Sequence, residues 1–277
     1  MAMADIKSGL DAAGGDVQSY FASSPPEAEA HLQFRYILAR NLTKTGTLAG
    51  VQEGLRNHLE VANLSMSNRS MKKTANDFIP GLYLRLGRDK EFLEFMTAKC
   101  NGDLDEIYRW HDQSTPPPQA DAEVLSLAQA AMLCVFKLRI LMDLRDLHQA
   151  GIALGDKVPA ELFHECRSYL VGEATKTNAE FMRAIEKRED LKPDINVIEA
   201  DLCDLETYIN ALDVDYFDAI ANPEKYRKMQ PAYEEELLIT EALAQTYDAW
   251  AETPGAFAMF QWVCDGHSYA TGDDDVD

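Results

Sequence analysis

Ala120–Gln149 reads ADAEVLSLAQAAMLCVFKLRILMDLRDLHQ, thirty residues with neither Gly nor Pro. Its middle, Ala130 to Phe136, is apolar on every side, which is the pattern of a helix surrounded by other helices. A run this long and free of breakers predicts the central helix of an all-α fold. The rest of the chain agrees, because helical periods recur along it and no alternating β-branched run interrupts them.

Toward the C-terminus, a turn is expected at Gly151–Gly155 and a helix from Pro159 to about Arg188, with Leu162, Phe163, Cys166, Leu170, Ala174, Phe181 and Ile185 on one side. Pro193 opens the next, expected to run to about residue 220. Its stripe Ile198, Leu202, Leu205, Ile209, Leu212 and Tyr216 repeats at intervals of 4, 3, 4, 3 and 4 residues. Such a stripe packs along a neighbouring helix at a shallow angle, either inside the chain or as a homo-oligomer seam. Beyond Pro223 and Pro231, a helix from Glu234 to Glu252 ends at Pro254-Gly255, and a short one reaches Val263.

Toward the N-terminus, the run Ser114-Thr-Pro-Pro-Pro118 cannot continue a helix and marks a joint. Before it the expected helices are Glu27–Leu42, with Leu32, Tyr36 and Ile37 as apolar marks, then Leu48–Leu64, Thr74–Leu86, Asp89–Lys99 and Asp103–His111. The polar stretch 66–73 reads as a loop, and Pro80 as a first-turn proline. The organisation that follows is an N-terminal segment 1–26, a hairpin subdomain 27–113, a bundle 120–264 and an acidic disordered tail 265–277. The turn glycines Gly46 and Gly87 suggest successive hairpins. They leave open a short TPR-like α-solenoid or an irregular helical bundle.

The chain has 277 residues, 46% of them hydrophobic, and 47 acidic against 26 basic side chains, a formal net charge of −21. That length can bury about 75% of its extended surface without disulfide or metal support. The charge argues against nucleic acid and anionic membrane partners, which need clustered Lys and Arg. It is also uneven: residues 191–277 carry 20 acidic and four basic residues, a net of −16, leaving −5 for the first 190. The five dispersed cysteines, Cys100, Cys134, Cys166, Cys203 and Cys264, read as reduced thiols. With no expected secretory leader and no apolar run near the roughly 20 residues that span a bilayer, the expected location is cytoplasmic or nuclear.

Motifs for chemistry are sparse. Glu161 and His164 share a helix face as in di-iron bundles, yet no second such pair exists. Asp213, Asp215 and Asp218 are similar to the magnesium-binding clusters of all-α isoprenoid enzymes but lack the adjacent acid pair; a solvated acidic face accounts for them. No nucleophile elbow or phosphate loop is present. The sequence therefore assigns no catalytic residue, cofactor or metal ligand. Aromatic and basic residues give the one interaction candidate, a peptide groove of Tyr83, Trp110, Tyr247 and Trp250, with Arg85 and Arg88 at its edge.

Four stretches carry a resemblance: Phe78–Glu91 (FIPGLYLRLGRDKE), Leu133–His148, Gly155–Pro159 (GDKVP) and Tyr247–Gly255 (YDAWAETPG). Together they resemble an uncharacterised fungal family of all-α proteins with TPR-like hairpins, some of them MYND-finger-associated. The Cys/His array of such a finger is missing here. The resemblance implies an interaction scaffold and brings no catalytic residue. The first expectation is thus a helical adaptor acting through a protein partner, basic in character to suit the acidic C-terminal third. The rival is an all-α enzyme or small-molecule binder, tied to fungal secondary metabolism, with a pocket beside the 120–149 helix.

Overall fold

The structure is a computed structural model that describes residues 26–65, 68–99, 125–154, 172–187, 189–227 and 234–265. Among these residues the chain is all-α, with twelve helices and no strand. It falls into two compact units, residues 1–86 and 87–277. The boundary lies between the two helices that the sequence reading pairs at 76–99. The proline run 114–118 expected to form the joint lies outside the described residues, as do Asp103–His111, Glu161, His164 and the tail beyond Asp265.

The first unit is built from α1 (Pro26–Thr43), α2 (Leu48–Leu64) and α3 (Arg69–Arg85), with α2 packed against both neighbours. Gly46 turns the chain between α1 and α2 at φ 66°, a left-handed conformation that a side chain would resist. The Thr47 hydroxyl then accepts from the Gly50 amide at 3.1 Å and caps α2. Gly50 and Gly54 put the bare backbone of α2 against the end of α1. A Cβ at Gly54 would stand 2.5 Å from the Thr43 methyl and 3.2 Å from the Ala39 carbonyl.

Helix α3 differs from expectation at both of its marked residues. It begins at Arg69 because Asn68 is the cap, its side-chain oxygen accepting from the Met71 amide at 3.0 Å. Thr74 is interior, its hydroxyl donating to the Ser70 carbonyl at 3.0 Å. Pro80 consequently sits in the buried middle of α3, where its missing N–H leaves the Asn76 carbonyl without the usual helical donor.

The second unit comprises α4 (Asp89–Lys99), α5 (Leu127–Leu154), α6 (Glu173–Lys176), α7 (Ala179–Lys187), α8 (Lys192–Leu212), α9 (Tyr216–Ala221), α10 (Pro223–Arg227), α11 (Glu234–Ala251) and α12 (Ala256–Cys264). Helix α5 is central to it, touched by α6, α8, α11 and α12. Ala130 to Phe136 are all buried, and Leu138, Leu141, Leu144 and Leu147 continue the buried set toward the C-terminal end. Each large side chain hidden in this way contributes about 1.5–3 kcal/mol. The helix runs through Gly151 to Leu154 instead of turning there, since Ile152, Ala153 and Leu154 continue a helical segment that one glycine does not break.

Two expected helices are divided. The helix expected to run to Arg188 breaks between α6 and α7, where Thr177 donates to the Ala174 carbonyl and Asn178 caps α7 by accepting from the Glu180 and Phe181 amides. The 193–220 helix breaks at Asp213, which is extended and accepts from the Asp215 amide at 3.0 Å. Side chains that bond their own backbone compete with the helix at both places. Of the 198–216 stripe, Ile198, Leu202, Leu205 and Ile209 are buried where α8 meets α5 and α12, and Tyr216 of α9 is buried against Thr246 and Trp250 of α11. Five of the six stripe residues therefore make an internal seam, and Leu212 is the one stripe residue that stays exposed.

Candidate interaction surface

The two faces of α1 are both apolar, and only one is used inside the first unit. Ala28, Leu32, Ala39 and Thr43 are buried. Beneath them lies an aromatic stack, with His58 of α2 parallel to Phe78 of α3 at 4.8 Å and Tyr36 edge-on to both. Arg40 places its guanidinium 5.8 Å from the Tyr36 and Phe78 ring centres. His58 is fully buried, and among the described residues neither ring nitrogen finds a hydrogen-bond partner. Burial, helped by the Arg40 charge, pushes its pKa down to about 3, so the imidazole is neutral.

A polar seam runs beside this stack. Arg35 donates to His31 Nε2 at 2.8 Å and to Asn57 Oδ1 at 3.1 Å, and pairs with Glu60. Asn57 in turn donates to the Glu53 carbonyl at 2.8 Å. These bonds fix the rotation of α1 on α2 and so decide which side of α1 faces outward.

That outward side carries Ala30, Phe34, Ile37, Leu38 and Asn41, all exposed. Phe34 keeps 64% of its surface, Ile37 50% and Leu38 37%, and Leu48 at the start of α2 keeps 69%. Single exposed apolar residues are ordinary; three large ones on a single helix stripe are not. The sequence reading named Ile37, with Leu32 and Tyr36, as an apolar mark of this helix without dividing its two faces. The detectable signal was a second period through Ala30, Phe34 and Ile37 lying beside the one through Ala28, Leu32 and Ala39.

The groove residues expected from sequence are distributed between the units. Tyr83 and Arg85 lie half-buried on α3 of the first unit, and Arg85 donates to the Thr43 carbonyl at 3.3 Å. Arg88 precedes α4 in the second unit, and its carbonyl accepts from the Phe92 amide. Tyr247 is half-buried on α11. Trp250 is inside the core: its indole N–H donates to the Tyr216 hydroxyl at 3.2 Å, and its ring meets Phe217, Phe257 and Phe260. Trp110 lies outside the described residues.

Around α5 the charged groups bond to one another across helices. Lys137 pairs with Asp201 of α8 at 2.6 Å, and Arg145 with Glu199 of α8 while its guanidinium lies 4.0 Å from the Trp262 ring centre. Arg139 donates to the Thr253 hydroxyl at 2.9 and 3.1 Å and faces Asp89 at 3.5 Å. Burial raises the Asp89 carboxyl to about 6 against the opposing pull of Arg139. Asp143 accepts from the Gly172 amide and the Thr175 hydroxyl. These groups tie α5 to its neighbours, and their geometry is that of structural ties. Asp218 is held near 2 by Lys225, Tyr226 and Asn222, all within 2.8 Å.

Among the described residues no set of three or more His, Cys, Asp or Glu is placed to hold a metal ion, and no helix is long and apolar enough to cross a membrane. Compared with protein-family models, with curated proteins and with solved structures, the chain matches none.

Proposed function

We propose that the protein is a cytoplasmic helical scaffold that works by binding protein, and that the outward face of α1 is its binding surface. The observation that carries this reading is the exposed stripe of Phe34, Ile37 and Leu38 on a helix whose opposite face is already fixed by the α2 seam. A contiguous apolar helix face of this kind is the recognition element in helix-to-helix and helix-in-groove association. Burying Phe34 and Ile37 would contribute most of the affinity, because large anchors dominate interface energetics.

Part of the same proposal is that α1, α2 and α3 are hairpin units of TPR-like type and that the chain belongs with the fungal helical-hairpin proteins it resembles. The four sequence stretches and the short turn at Gly46 support that view.

Affinity capture from the cell that makes the protein tests it, comparing the full chain with a Phe34→Asp, Ile37→Asp variant. A protein retained by the first and lost by the second, the chain's own second copy included, supports the reading. Equal retention by both, or retention of nothing, contradicts it.

A further inference from the structure

We infer that the occupant of this face is a second copy of the chain, with two α1 helices paired antiparallel about a two-fold axis. The inference rests on the reading of the α1 face as a protein-binding surface and names its partner.

The outward stripe extends beyond its apolar centre as Glu27, Ala30, Phe34, Ile37, Asn41 and Lys44, at intervals of 3, 4, 3, 4 and 3, and all six are exposed. This is the alternation that keeps one seam of a helix facing another along its length. A two-fold axis between residues 35 and 36 brings each position of the seam opposite one that complements it. Phe34 meets Ile37 of the second copy, twice, across the centre. Ala30 meets Asn41, a small residue against a polar one that can reach the neighbouring backbone. Glu27, in the first turn, meets Lys44, one residue beyond the last. All three pairings fall in register at once.

The parallel arrangement fails the same comparison. It sets Glu27 against Glu27 and Lys44 against Lys44, and aligns the helix dipoles. Isologous contacts require a surface that complements itself under a two-fold, and the antiparallel register alone provides this here.

Size sets the strength. An 18-residue helix is about 27 Å long, and a seam about 10 Å wide along it buries on the order of 300 Å² per copy, well under the ~800 Å² of a standard interface. An interface below the standard size belongs to the weak, transient kind, so the dimer is expected to fall apart on dilution.

Sedimentation velocity on the full chain from ~1 to ~200 µM tests the inference. The expected result is a concentration-dependent rise toward twice the 31.0 kDa chain mass. Phe34→Asp should hold the chain at monomer mass throughout, with unchanged helical circular dichroism because the residue is exposed. Glu27→Lys and Lys44→Glu should each weaken the dimer about tenfold, since each creates two like-charge contacts, and should do so most at ~50 mM salt. The doubly swapped chain should recover to within about twofold of wild type.

Wild type that stays monomeric at every concentration overturns the self-pairing, as does a dimer indifferent to the charge reversals. If the capture experiment meanwhile retains a different protein through Phe34 and Ile37, the binding face stands and only its occupant is refuted.

Discussion

His58 should make the first unit acid-labile, and replacing it by phenylalanine should remove most of that lability. In the folded chain its pKa is about 3, whereas a solvated histidine titrates near 6.5. Between those values the unfolded chain binds a proton that the folded chain refuses, so stability is present above about pH 6.5 and is lost as pH falls. From pH 7 to pH 5 the loss from this one group is about 2 kcal/mol, or a roughly thirtyfold rise in the opened fraction. Below pH 5 it continues at about 1.4 kcal/mol per pH unit until pH 3 is approached. His31, also lowered by burial and by Arg35, acts in the same direction, so the difference between wild type and His58→Phe is the informative quantity.

Phenylalanine keeps the ring stacked on Phe78 and removes both unbonded nitrogens. Hydrogen exchange followed by mass spectrometry, corrected for intrinsic rates, resolves peptides of α2 and α3 from those of the second unit. Protection there should fall about thirtyfold between pH 7 and pH 5 in wild type, and only a fewfold in His58→Phe. Equal pH slopes in the two proteins would refute the assignment of a neutral, buried imidazole.

Three other perturbations follow from the packing. Gly54→Ala must displace Thr43 and the α1 backbone, so thermal unfolding of the first unit should show a loss of about 1–3 kcal/mol; an unchanged midpoint would mean that α1 and α2 do not approach as closely as 2.5 Å implies. Arg145→Met leaves the buried Glu199 carboxylate without its guanidinium and should cost about 3–5 kcal/mol in urea unfolding, while adding Glu199→Leu should recover most of it; strictly additive losses would show the pair uncoupled. Gly151→Ala meets nothing within 4 Å and replaces a helical glycine, so it should stabilise by about 0.5–1 kcal/mol, and destabilisation would mean that α5 ends before it.

The central helix, the all-α class and several helix ends were legible in the sequence because apolar period and breakers act locally. Leu48–Leu64 and Asp89–Lys99 fall where their patterns begin and end. The divisions at Thr177–Asn178 and Asp213 were not legible, since the same side chains are tolerated inside helices and only their backbone bonds show that they end one. Asn68 hid the start of α3 for the same reason: a cap is recognised by the amide it accepts, and the polar run 66–73 gave no apolar period to anchor it.

The candidate surface was legible only in part. An apolar helix with two stripes can be buried on either side or on both, and the choice at α1 was made by Arg35, whose bonds to Asn57 and Glu60 of α2 join residues far apart in sequence. Trp250 was misplaced by the converse effect. Its helical spacing with Tyr247 suits a groove, but Tyr216 and the phenylalanines of α9 and α12 surround it.

A photo-crosslinking side chain introduced at Phe34 of the full chain, in the cell that makes the protein, tests the central claim most directly. The same side chain at Val214, which keeps 76% of its surface on the second unit, is the control. An adduct to protein at Phe34, with none at Val214, is the predicted result. No adduct at Phe34, or equal labelling at the two positions, would contradict the assignment of the outward face of α1 as the surface through which this protein works.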